Sequence, residues 1–127
     1  MRVLVVEDDP HMLGLLRETL EADGFDVTDC PDALHWLRFH SGEAADNDSG
    51  FDLVISDVRM PGVTGFDVLY GIRCHTRNPP PVILITAFVD EQTHEKAREL
   101  GAAATIDKPF AMQTLLSVAR STIRDPP

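Results

Sequence analysis

Short aliphatic runs alternate with amphipathic stretches five times along the chain. Arg2–Val6 is almost wholly aliphatic, the pattern of a strand buried on both faces of a parallel sheet. Asp9-Pro10 then reads as an N-cap and first helical residue, and Leu13, Leu16 and Leu20 recur at helical spacing until Asp23-Gly24. Phe25–Thr28 reads as a second strand, and Pro31 opens a second helix with Ala33, Leu34, Trp36 and Leu37 as its apolar positions. Ser41–Gly50 lacks large apolar residues and reads as a solvated loop, whose acids Glu43, Asp46 and Asp48 need no function. Phe51–Ser56 is the third strand, with Asp57 at its end. After the turn Met60-Pro61-Gly62, Thr64 and Asp67 have the spacing of a capping box for a helix that buries Val68, Leu69 and Ile72. Pro79–Pro81 precede a fourth strand, Val82–Thr86. A charged helix, Glu91–Leu100, ends at Gly101, and Ala103–Ile106 is a weak fifth strand. A last helix follows Lys108-Pro109-Phe110 and runs to about Ile123.

This alternation predicts an α/β fold, a doubly wound parallel sheet of five strands flanked by five helices with right-handed crossovers. Ligands of such sheets bind beyond the carboxyl ends of the strands, where strand order reverses. The first strand ends in Glu7-Asp8-Asp9, the third in Asp57, the fourth in Thr86, and Lys108 follows the fifth. Thr28 and Asp29, after the second, read as turn chemistry only. One rim of the sheet thus collects ionisable groups.

Composition narrows the class. With 127 residues, 43% of them hydrophobic, the expectation is a single globular domain over 1–127. A formal charge of −10 argues against direct binding of nucleic acid. Cys30 and Cys74 have no metal-ligand spacing and read as ordinary half-buried thiols of a reducing compartment. No apolar run is long enough to span a membrane and no signal-peptide pattern opens the chain, so a cytoplasmic location without membrane attachment is expected.

In the flavodoxin-like strand order 2-1-3-4-5, Asp8 and Asp57 face each other across a crevice, with Glu7 or Asp9 beside them. Two carboxylates ~5 Å apart repel by about 3 kcal/mol at an effective dielectric of 20. Either one takes up a proton or a cation fills the gap. No His or Cys joins the cluster, so a hard ion with oxygen ligands fits best, and Mg²⁺ is the expected cofactor. A lysine can neutralise a phosphoryl oxygen, a threonine hydroxyl can donate to one, and an Asp can itself be the nucleophile that forms an acyl phosphate.

The chain resembles the receiver domains of bacterial two-component response regulators. The resemblance runs nearly end to end and rests on VLVVEDDP (3–10), DLVISDVRMPGVTG (52–65), VILITAF (82–88) and IDKPF (106–110). It implies that Asp57 accepts a phosphoryl group from a sensor histidine kinase or phosphotransfer protein. It also implies that Asp8, Asp57 and the backbone carbonyl of Arg59 bind Mg²⁺, with Glu7 acting through a metal-bound water. Thr86 and Lys108 would contact the phosphoryl group and switch the binding of a downstream effector protein. No turnover of an external substrate is expected. Two other classes compete: a Mg²⁺-dependent phosphohydrolase with an Asp nucleophile, and a docking module that works without phosphorylation. The consecutive acids Glu7-Asp8-Asp9 disfavour the first, and the retention of Asp8, Asp57 and Lys108 disfavours the second.

Two positions depart from the family pattern. Thr105 stands where relatives often carry an aromatic switch residue, and Ala111 where they often carry a cap for the last helix. Without that ring, the expected signalling route is the segment Ala87–Asp90, with Phe88 its largest apolar group, and the start of the following helix.

Overall fold

The computed structural model describes residues 1–31, 50–60, 62–75, 78–87 and 90–124. Their elements are β1 (Arg2–Val6), α1 (Pro10–Ala22), β2 (Asp26–Cys30), β3 (Leu53–Asp57), α2 (Gly65–His75), β4 (Val82–Thr86), α3 (Glu91–Leu100), β5 (Ala104–Asp107) and α4 (Met112–Arg124). The strands form one parallel sheet in the expected order, β2-β1-β3-β4-β5. Four helices flank it among the described residues. The helix expected from Pro31, the loop acids Glu43, Asp46 and Asp48, and Phe88 lie outside the described residues.

Because side chains alternate along a strand, the aliphatic runs feed two cores. Val3, Val5, Leu53, Ile55, Ile83, Ile85 and Ile106 pack on one face against Leu16 and Leu20 of α1 and Leu115, Leu116 and Ala119 of α4. Leu4, Val6, Val54, Val82 and Leu84 pack on the other against Val68, Leu69 and Ile72 of α2 and Ala97 of α3. Neither cysteine forms a disulfide and neither is half-buried: Cys30 is in the second core and Cys74 is exposed. No helix among the described residues is long and apolar enough to cross a membrane.

The helix ends follow the expected chemistry. The Asp9 carboxylate accepts from the His11 amide, and Thr64 and Asp67 cap α2 reciprocally, with hydrogen bonds of 2.9 to 3.1 Å. Gly24 and Gly101 take φ of 93° and 92° as α1 and α3 end.

Three strands, β2, β3 and β5, have boundaries that differ from expectation. The Phe25 amide donates to the Leu20 carbonyl, so Phe25 closes α1 and pairing with β1 starts at Asp26. Thr28 and Asp29 are therefore strand residues and not turn residues; Asp29 Oδ2 accepts from Arg17 of α1 at 2.8 Å, while Oδ1 is buried without a hydrogen-bond partner among the described residues. Asp57 belongs to β3, its Cα opposite Ile85, and Asp107 belongs to β5, opposite Thr86. Polar residues end these runs in sequence, whereas the hydrogen-bond ladder continues one residue further.

Candidate functional site

The carboxyl ends of β1, β3 and β5 converge on one crevice. Glu7 directly follows β1, and its amide donates to the Cys30 carbonyl, which extends the ladder past Val6. That leaves Glu7 only 1% exposed beside Asp57, itself 7% exposed, while Asp8 is exposed at the mouth of the cluster. One carboxylate oxygen from each of Glu7, Asp8 and Asp57 lies within 4.8 Å of the others. On the far side, the Lys108 ammonium meets Asp57 Oδ2 at 2.8 Å. The Lys108 amide donates to the Thr86 carbonyl at 2.7 Å, which fixes the lysine to the end of β4.

Asp57 is held by its own loop as well. The Arg59 amide donates to Asp57 Oδ1 at 3.2 Å, and the Ser56 hydroxyl donates to the Asp57 carbonyl at 3.0 Å. With Oδ1 on an amide and Oδ2 on an ammonium, the carboxylate has a fixed orientation toward the crevice.

The electrostatics reproduce the choice between a proton and a cation. Burial, then hydrogen bonding and charge repulsion from Asp57, push the Glu7 carboxyl up to about 8. Glu7 Oε1 accepts from the Asp9 amide, but Oε2 is buried without a hydrogen-bond partner among the described residues. A proton on Glu7 would let it donate to Asp57, and a cation among the three acids would replace that proton. Burial works against the charge of Lys108, but its hydrogen bond to Asp57 and the field of Asp57, Glu7 and Asp9 outweigh this and raise its pKa.

All the site residues expected from sequence except Thr105 fall at this rim or beside it. Glu7, Asp8, Asp57 and Lys108 are brought together directly. Arg59 touches Asp57 through its amide. Thr86 is fully buried at the end of β4, one residue beyond the partner of Asp57. Thr105 pairs with Leu84 in the sheet, on the α2–α3 face and back from the crevice.

Gly65 is the residue that sequence reasoning left without a role. A Cβ there would lie 2.5 Å from the Asp57 carbonyl oxygen and 2.8 Å from Val58 Cα, so only glycine lets α2 start against the site. Its amide donates to the Val58 carbonyl at 2.7 Å. The segment 52–65 contained it, but nothing local demands glycine; the requirement comes from a tertiary approach.

Comparison with known proteins agrees with this geometry. A family model described as the response regulator receiver domain matches residues 3–120. The transcriptional regulatory protein CpxR of Escherichia coli (strain K12) is 34% identical over 125 residues, covering 97% of this chain and 49% of CpxR. FixJ of Bradyrhizobium diazoefficiens is 33% identical over 122 residues, covering 96% of the chain and 56% of FixJ. The chain thus spans about half the length of these curated relatives. Among solved structures, the non-phosphorylated HemR receiver domain from Leptospira biflexa superposes with a TM-score of 0.83 at 31% identity, covering 96% of this chain and 93% of that one. Motifs, strand order, acidic crevice and relatives all converge: this chain belongs to the receiver domains of response regulators.

Proposed function

We propose that Asp57 is the phosphoryl acceptor of a two-component signalling switch. The observation that carries this reading is the convergence on Asp57 of Lys108, at 2.8 Å, and of the acids Glu7 and Asp8. An Asp57 oxygen attacks phosphorus, the bond from phosphorus to a phosphohistidine nitrogen of a sensor histidine kinase or phosphotransfer protein breaks, and the imidazole leaves. Glu7 Oε2, partnerless among the described residues, and the three clustered carboxylates fit a divalent cation, and Mg²⁺ suits their all-oxygen chemistry. Asp8 and Asp57 would hold it, with the Arg59 carbonyl, and Glu7 would act through a water. Bound there, Mg²⁺ supplies positive charge that offsets the crowding of anionic oxygens.

Lys108 then pairs with the phosphoryl group, and the Thr86 hydroxyl donates to it from the end of β4. Arg59 and Gly65 hold the Asp57 loop in place. The chain works as a cytoplasmic switch whose state is read by an effector protein, and it turns over no external substrate.

Intact mass measured after incubation with a small phosphodonor and Mg²⁺ tests the assignment. The wild-type protein gains one phosphoryl group, whereas Asp57→Asn and wild type in excess chelator gain none. Comparable incorporation by Asp57→Asn overturns it.

A further inference from the structure

The helix α3 is poorly anchored for an element beside a switch. Its sequence, EQTHEKAREL, buries a single side chain, Ala97, with Leu100 partly buried against the same core. Yet its first turn makes a specific polar contact with the sheet. His94 Nε2 lies 2.7 Å from Asp107 Oδ1, and both side chains are about a third exposed, at 32% and 38%. His94 is tied to the start of the helix, since its amide donates to the carbonyl of the N-cap residue Asp90. Asp107 sits on the rung of the sheet that reaches the crevice: its Cα is opposite Thr86, and the next residue is Lys108.

We infer that His94 and Asp107 form a latch that holds α3 to the resting position of the Thr86–Lys108 rung and opposes phosphoryl-driven rearrangement. The inference rests on the assignment of Asp57 as acceptor. A phosphoryl group on Asp57 takes over the oxygen that Lys108 now contacts, so Lys108 must realign, and Thr86 with it if its hydroxyl joins the group. A contact of 2.7 Å across that rung does not survive a relative shift of an ångström or more. Thr105 is too small to serve as a ring that moves between two positions, so α3 itself is the element free to respond. A contact made only in the resting arrangement lowers affinity for whatever selects the other arrangement. His94 and Asp107 are thus positioning residues, acting on the phosphoryl site through the β4–β5 rung.

Beryllofluoride with Mg²⁺, a stable phosphoryl mimic, provides the test. Its affinity is measured calorimetrically for wild type, His94→Ala, Asp107→Ala and the double variant. Each single variant binds it about two- to fivefold more tightly, the range expected when one surface polar contact is removed from the resting state. The double variant matches the singles, because either change opens the same latch. Affinities unchanged or weakened, or gains that add in the double variant, overturn the latch while leaving Asp57 as acceptor. A lowered thermal midpoint with unaltered affinity also overturns it, since it marks a merely structural contact. Failure of the wild type to bind the mimic overturns the latch together with the acceptor assignment.

Discussion

At Gly65 a single methyl group decides whether α2 can begin against the acidic crevice. The nearest atoms to an added Cβ are backbone, the Asp57 carbonyl oxygen at 2.5 Å and Val58 Cα at 2.8 Å, so no side chain can rotate away. Gly65→Ala should cost about 1–3 kcal/mol in urea denaturation, as overpacking does, and slow phosphorylation because the displaced backbone carries Asp57. A variant of wild-type stability and rate would show that the loop has slack. Glu7 supports a pH prediction for protein kept in chelator. Burial and Asp57 raise its carboxyl from 4.5 to about 8, so between these values the folded state keeps a proton that the unfolded chain has released. Stability therefore falls as pH rises through that window, and Glu7→Gln should flatten the decline. Equal slopes for the two proteins in urea titrations would mean that Glu7 stays ionised. The acids themselves were legible in the sequence, because charge at the end of an aliphatic run is conspicuous. Gly65 was not, since its requirement arises from a close approach of the Asp57–Val58 backbone that no local pattern encodes.

At the scale of elements, burial separates helices that hold the fold from one that can yield. α4 contributes Leu115, Leu116, Ala119 and Thr122 to the interior, α2 contributes Val68, Leu69 and Ile72, and α3 contributes Ala97 alone. Amide protection follows buried contact, so α3 should exchange hydrogen faster than α2 or α4 in the unphosphorylated protein. Protection of residues 91–100 equal to that of α4 would contradict its role as the yielding element. Strand existence and helix faces were readable from periodicity, because burial on two faces demands aliphatic runs and each helix needs one apolar stripe. The ends of β1 and β4 were readable too, but those of β2, β3 and β5 were not. Asp29, Asp57 and Asp107 are polar, yet the ladder includes them, since backbone pairing takes no account of side-chain polarity when the carboxylate finds Arg17, Lys108 or His94.

For the whole molecule, the sheet is what assembles the acids. Glu7 and Asp8 follow β1 and Asp57 ends β3, and only the parallel pairing of those strands brings the three within 4.8 Å. The unfolded chain offers no such cluster, so Mg²⁺ bound in the crevice must stabilise the folded state by mass action. The gain is about 2.7 kcal/mol when free Mg²⁺ stands at a hundred times its dissociation constant. A chain with a formal charge of −10 also gains stability from any divalent salt by general screening, so the comparison must be among variants. Asp8→Asn removes a proposed ligand and should lose most of the Mg²⁺-dependent rise in thermal midpoint. Lys108→Ala should keep that rise or enlarge it, because the ammonium 2.8 Å from Asp57 competes with the cation for the same carboxylate. The opposite pattern, with Asp8→Asn stabilised as much as wild type, would place the ion elsewhere on the acidic surface and leave the crevice to the Glu7 proton.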